Sequence, residues 1–175
     1  MTFDVVVAAD LDWGIGKDNG LPWPKLRGDL RHFKRITSTA SPGRRNAIVM
    51  GRKTWESKEV GKAPLPNRLN VVVSRSPYTV PAGVIAARSL DEALGVPDVE
   101  NIFVVGGAGL FVDALEHPQL RYIYLTRIES HYECTIRMPD LDARGFVRDP
   151  SWDGEQSADE HDVHYTIERL IRQRA

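Results

Sequence analysis

Ile102-Phe103-Val104-Val105-Gly106-Gly107-Ala108-Gly109-Leu110-Phe111 runs from four apolar residues through three glycines into an amphipathic stretch. An unbroken β-branched run suits a strand buried on both faces, and such strands belong to parallel sheets covered by helices. Glycines at the end of that strand let backbone N–H groups approach an anion at a helix N-terminus, where the helix dipole favours negative charge. The spacing misses the G-x-G-x-x-G fingerprint and falls in mid-chain instead of after the first strand. A plain strand-to-helix turn therefore explains the glycines as well as a phosphate site does.

The same alternation recurs on either side. Apolar runs at Val5 to Ala9, Ala47 to Met50, Leu69 to Val73, Val84 to Ala87 and Tyr122 to Thr126 read as further strands. Between them lie helical patterns at Leu26 to Thr37, Lys53 to Ser57, Ser89 to Leu94 and Gly109 to Leu115. Ser89 with Glu92 three residues on forms a capping box, and Pro97 lies past the end of that helix. Alternating strand and helix predicts an α/β fold with a largely parallel sheet. After an acidic stretch from Asp149 to Asp162, the alternation His164-Tyr165-Thr166-Ile167-Glu168 predicts a late strand in an antiparallel edge hairpin. No linker or repeat divides the chain, so residues 1–175 read as one domain.

A chain of 175 residues is long enough for one true core. Balanced charge, 23 basic against 24 acidic residues, gives no field that would draw the chain to nucleic acid or an anionic membrane. No window approaches the roughly 20 apolar residues of a membrane span, and the N-terminus lacks the pattern of a secretory signal. A cytoplasmic, monomeric protein with a small-molecule partner is expected. The single cysteine, Cys134, excludes an internal disulfide and the multi-cysteine zinc patterns. His161 and His164 lack any accompanying ligand pattern, so no metal is expected.

Chemistry concentrates in two further places. In Pro24 to Ile36, residues Leu26, Leu30, Phe33 and Ile36 share one helical stripe, and Asp29 projects inside it while Arg27, Arg31, Lys34 and Arg35 point away. A carboxylate on the apolar side needs partners or a raised pKa, which fits a functional site and also a structurally satisfied aspartate. Gly51-Arg52-Lys53-Thr54-Trp55 places two cations at the start of a helix, an unfavourable position unless an anion joins them. Arg75, after the strand ending in Ser74, would lie at the neighbouring carboxyl end. Three such cations suit a 2′-phosphate, and solvated surface charge is the rival reading.

Taken together, Gly14-Ile15-Gly16, Leu21-Pro22-Trp23, Asp29, Phe33, Gly51-Arg52-Lys53-Thr54-Trp55, Pro64-Leu65-Pro66-Asn67-Arg68 and Gly106-Gly107 occur in an order that resembles the dihydrofolate reductases. The resemblance spans about residues 3 to 142. It implies a mixed, mainly parallel eight-stranded sheet flanked by helices, and reduction of dihydrofolate to tetrahydrofolate by hydride from NADPH, serving one-carbon and thymidylate metabolism. It implies that Asp29 orients the pterin, with Thr126 bracing the same network and Trp23 holding an ordered water. Val6, Phe33 and Leu65 would line the substrate slot, and Arg68 would pair with the folate α-carboxylate.

For NADPH the resemblance implies Val7 and Ala8 at the end of the first strand, and a mobile cover from Gly14 to Leu21 that includes Ile15, Gly16 and Gly20. Gly51 and Thr54 would stand beside the cofactor, and Val105, Gly106, Gly107, Ala108, Gly109, Leu110 and Phe111 would form its glycine wall. Arg52, Lys53 and Arg75 would take the 2′-phosphate, with Ser74 also beside the cofactor. The Gly106-Gly107 peptide is expected to be cis.

The chain departs from the family pattern at Phe111, where a tyrosine is common, at Lys58, usually apolar, and at Asn67, usually glycine. Glu133 to Pro139 departs most, since the family usually shows Asp-Thr and aromatics there. Two other readings stay open: a reductase of pyrimidine ribosyl intermediates, which needs neither Asp29 nor Arg68, and a non-catalytic folate- or NADPH-binding module.

Overall fold

The computed structural model describes residues 1–173, so the last two residues of the expected domain lie outside the described residues. Strand β1 (Phe3–Ala9) is followed by a short β2 (Gly14–Gly16) and helix α1 (Arg27–Ser38). Then come β3 (Asn46–Gly51), the single-turn α2 (Arg52–Trp55), β4 (Arg68–Val73), β5 (Ile85–Ala87) and α3 (Leu90–Leu94). The glycine-rich stretch becomes β6 (Ile102–Gly106) and α4 (Ala108–Glu116), and β7 (Leu120–Ile128) follows. The chain finishes with β8 (Ile136–Arg137), β9 (Phe146–Arg148), β10 (Gln156–Glu160) and β11 (Val163–Arg172).

Eight strands form one path in the order β10-β11-β7-β1-β6-β3-β4-β5, and short β9 pairs with β11 off that path. All pairings from β7 to β5 are parallel, while β11 runs antiparallel to β7 and β10 antiparallel to β11. The expected late hairpin is therefore β10-β11. The Ser89 cap is also present, its side chain accepting from the Glu92 N–H at 3.1 Å.

Alternation along the central strands divides the core in two. Phe3, Val5, Val7 and Ala9 face a large cluster with Val49, Val71, Val104, Leu110 and Leu125. Val6, Ile48, Met50, Val72 and Phe103 face the other way, toward Trp55, Phe33 and Ile36. The α1 stripe is rotated from the sequence expectation. Leu30 is exposed and His32 is buried, its ring set among Tyr124 and Trp152. Neither His32 nitrogen has a hydrogen-bond partner. Burial, with Arg35 nearby, lowers its pKa to about 4.

Candidate active site

The parallel pairing of β1 with β7 sets Ala8 opposite Thr126. Helix α1 crosses above them, and the Thr126 hydroxyl donates to Asp29 Oδ1 at 2.6 Å. Asp29 thus sits on the apolar side as its helical position requires. Burial raises its pKa, the Thr126 hydrogen bond opposes that rise, and the charge of Glu160 adds to it. Asp29 accepts no other hydrogen bond among those formed by the described residues, so lone pairs on the carboxylate stay free for a ligand's donors.

The α1 N-terminus is held from a distance. Leu26, at the N-cap, has no side chain able to cap. Glu160, from β10, instead accepts the Arg27 and Gly28 N–H groups at 3.0 Å each. The Tyr165 hydroxyl donates to the same carboxylate at 2.6 Å. Gly28 is required here, since a Cβ would stand 2.3 Å from the Tyr165 oxygen. Trp23 is buried beside this corner with Leu26, Ile128 and Tyr165, and its ring meets Tyr132 edge-on at 5.8 Å.

On the other side of the crevice the glycines come together with the residues after β3. Met50 pairs with Gly106, the Gly106-Gly107 peptide is cis as expected, and Gly106 has φ +150°. A Cβ on Gly106 would meet Thr54 Oγ1 at 2.8 Å, and one on Gly51 would lie 3.6 Å from the Gly107 nitrogen. Gly107 begins α4 without a side-chain cap, and no acidic residue occupies the first turn. The first N–H groups of that helix are thus left for an anion. Val105 and Ala108 are half-buried, Leu110 and Phe111 are buried, and Gly109 has open space where a Cβ would point.

The cations behave unequally. Gly51 pairs with Val73, so Arg52 and Ser74-Arg75 leave neighbouring strand ends as expected. Arg52 is already shared with Glu56, at 3.3 Å, and lies over the Tyr78 ring. Glu56 also accepts from the Tyr78 hydroxyl at 2.7 Å and sits 3.7 Å from Lys62 Nζ. The anion the cations require is therefore partly supplied by the chain itself. Lys53 and Arg75 are exposed and form no ion pair among the described residues.

The residues expected on the substrate side also gather. Phe33 and Leu65 pack against the cluster around Val6, Ile48 and Trp55. Arg68 is buried, its Nε donating to the Pro66 carbonyl and one Nη to Thr37 Oγ1, both at 2.9 Å. Asn67 has φ +63°, the left-handed geometry for which asparagine is a tolerable replacement for glycine. Lys58 does not point along an apolar slot. Its stem lies near Gly20, where a Cβ would be 3.4 Å from Lys58 Cδ.

Three residues escaped the sequence reading. Glu160 and His32 are two, and Asp10 is the third. Asp10 is buried directly after β1. Its carboxylate accepts the N–H groups of Gly14 at 2.7 Å, Asp12 at 2.9 Å and Tyr132 at 3.1 Å, with Cys134 Sγ at 3.5 Å. Through Cys134 this tie reaches into the departing stretch Glu133 to Pro139. That stretch forms β8 against β2, with Gly14 paired to Arg137 and Gly16 to Ile136. Signals for Asp10 and Glu160 lay only in their being acidic beside a glycine-rich loop and a strand end.

The fold and its site define an α/β protein with a half-buried carboxylate, under-satisfied among the described residues, facing a glycine-walled, cation-flanked crevice. The model of the family described as dihydrofolate reductase matches residues 2–172. The chain belongs to that family, whose members reduce dihydrofolate to tetrahydrofolate. It is 34% identical to the dihydrofolate reductase of Rattus norvegicus, with 93% of each chain covered. It is 41% identical to the bifunctional dihydrofolate reductase-thymidylate synthase of Glycine max, covering 99% of this chain but 34% of that relative. The chain thus spans about a third of the plant bifunctional relatives it matches. Among solved structures, the dihydrofolate reductase of Schistosoma mansoni superposes with TM-score 0.83 at 34% identity, covering 98% of both chains. No helix of the described residues is long and apolar enough to cross a membrane.

Proposed function

We propose that this chain transfers a hydride from NADPH to dihydrofolate, giving tetrahydrofolate. The observation that carries the reading is the half-buried Asp29 carboxylate, held by Thr126 alone among the described residues and otherwise free to accept. A pterin presents adjacent N–H groups, its 2-amino and N3 donors, that match the two oxygens of one carboxylate. Asp29 then fixes the ring and stabilises the charge that reduction develops on it. Trp23 closes the pterin end of the cleft and orders the water that supplies a proton to N5, since no side chain of the site is placed to do so. Arg68, held rigid by Pro66 and Thr37, keeps part of its guanidinium for the folate α-carboxylate. Val6, Phe33 and Leu65 line the slot between.

NADPH supplies the hydride when bound. The residues present suit it: Gly106, Gly107 and Gly109, with only the Ala108 methyl among them, leave an open approach to the α4 N-terminus, which favours a pyrophosphate. Lys53 and Arg75, with Arg52 shared by Glu56, favour a 2′-phosphate over a bare hydroxyl. Val7, Ala8, Ile15, Gly16, Gly20, Leu21, Gly51, Thr54, Ser74, Val105, Leu110 and Phe111 complete the crevice. The reading takes a soluble monomer with a small-molecule substrate.

Loss of NADPH absorbance on adding dihydrofolate tests this, with NADH in parallel and methotrexate as a block. The expected result is methotrexate-sensitive oxidation favouring NADPH. NADPH binding without oxidation would overturn it in favour of the pyrimidine-reductase or binding-module reading.

A further inference from the structure

The cover of the crevice is fastened to the opposite wall by a side chain outside the machinery described above. Lys17 and Gly20 close a tight turn, each N–H donating to the other's carbonyl, at 2.9 and 3.1 Å. Asp18 and Asn19 between them are both left-handed, with φ +51° and +62°, which makes the tip a rigid two-residue turn. That tip reaches the segment following α2. The Lys58 N–H donates to the Asn19 carbonyl at 3.1 Å, and the Asn19 side-chain amide donates to the Glu56 carbonyl at 3.4 Å. The Leu21 N–H donates to Glu59 Oε1 at 2.8 Å. Gly20 fits between, since a Cβ there would stand 3.0 Å from Glu59 Oε1. A cavity of about 390 Å³, lined by Lys17, Asp18, Leu21, Pro22, Lys58 and Tyr132, opens beside this junction.

The contacts differ in kind. One of the three hydrogen bonds runs from main chain to main chain, and a second is the long 3.4 Å bond from the neutral Asn19 amide to a main-chain carbonyl. The Glu59 bond is a charge-assisted one from a residue that forms no ion pair among the described residues, so its carboxylate is committed to the loop. We propose that Glu59 is a positioning residue, a clasp that holds the Gly14 to Leu21 segment against the far wall and sets how often the crevice opens. The role of that segment as a cover rests on the function proposed above; the clasp itself does not.

An exposed bond of this type shifts an open–closed equilibrium by about two- to tenfold. In the ligand-free protein, Glu59→Ala should raise the rate of trypsin cleavage after Lys17 by that factor, resolved by mass spectrometry, with the melting temperature unchanged. Glu59→Gln keeps an acceptor oxygen and should fall between. Release of bound NADPH, chased by excess unlabelled cofactor, should quicken by the same factor. An unchanged Lys17 cleavage rate in Glu59→Ala would overturn the clasp, whatever the protein does with dihydrofolate. Faster cleavage with unchanged NADPH release would overturn its control of opening. Faster cleavage in a protein that never oxidises NADPH would support the clasp while overturning the proposed reaction.

Discussion

Two aspartates near the end of β1, one buried and one half-buried, have the same side chain and opposite chemistry. Asp10 follows the strand, and Asp29 reaches over Ala8 and Thr126 from helix α1. Burial pushes both carboxyls upward. At Asp10 the push is overcome by N–H groups from Gly14, Asp12 and Tyr132 and by the Cys134 thiol, so its pKa ends below the usual range. At Asp29 burial wins, because one hydroxyl opposes it and the Glu160 charge reinforces it. The number of donors around a buried carboxylate thus separates a structural joint from a site still waiting for donors.

The largest expected effect tests the waiting site. Asp29→Asn keeps the shape and still accepts from Thr126, but it turns one acceptor into a donor facing a ligand's N–H groups. It should cost about a hundredfold or more in kcat/KM for dihydrofolate, as losing one preorganised electrostatic contact does. The melting temperature should hold or rise, since an unfavourable buried charge is gone. Full activity in this variant would remove Asp29 from the proposed chemistry. Asp10→Asn should invert that result. Both oxygens of Asp10 accept, so whichever position the amide NH2 takes would face a donor, costing about 2 kcal/mol of stability by denaturant unfolding, with kcat/KM changed far less than in Asp29→Asn.

The pair should also separate by pH. A lowered folded-state pKa makes Asp10 contribute stability above the ordinary carboxylate range, lost as pH falls through its folded value. A raised pKa makes Asp29 contribute below that range, with stability lost as pH rises through its folded value. Relative to the parent, Asp29→Asn should gain stability as pH rises above the ordinary carboxylate range, and the deficit of Asp10→Asn should shrink below about pH 4. His32, whose folded pKa of about 4 lies under the ordinary 6.5, destabilises the acid side in all three proteins and cancels in the differences. Difference curves of the same sign would show that the two corners are not opposites.

Their legibility in sequence differs for the same physical reason. Asp29 was readable because helical periodicity places it on the buried face from residues within one turn, and Thr126 lay at the end of a recognisable strand. The glycine wall was readable because backbone sterics at Gly106 are local. Asp10 was not, because its donors Tyr132 and Cys134 arrive from more than 120 positions away. Glu160 caps α1 across a separation of 133. The stripe on α1 was misjudged at Leu30 and His32 because aromatic neighbours from β7 and Trp152, not hydropathy, decide which residue is covered. The stretch 133–138 was opaque as motif because its role is pairing with β2, and a ladder is made by backbone whatever the side chains.

The smallest effect sharpens the comparison most, because it changes the donor count at Asp29 without touching the carboxylate. Thr126→Val is close in shape and removes the single hydroxyl at 2.6 Å. The Asp29 pKa should then rise further, since the only group opposing burial is lost. A carboxylate less often ionised and less firmly aimed should lower kcat/KM about tenfold, in keeping with a charge-assisted hydrogen bond of roughly 1.4 kcal/mol. The loss should be greatest at the acid end of the pH profile and shrink as pH rises, because high pH restores the charge but not the aim. Steady-state kinetics of Thr126→Val and Thr126→Ser across pH 5 to 8 would read both parts, with serine restoring the hydroxyl and most of the rate. A pH-independent loss, or no rescue by serine, would mean that Thr126 acts by packing alone and that donor number is not what sets Asp29 apart from Asp10.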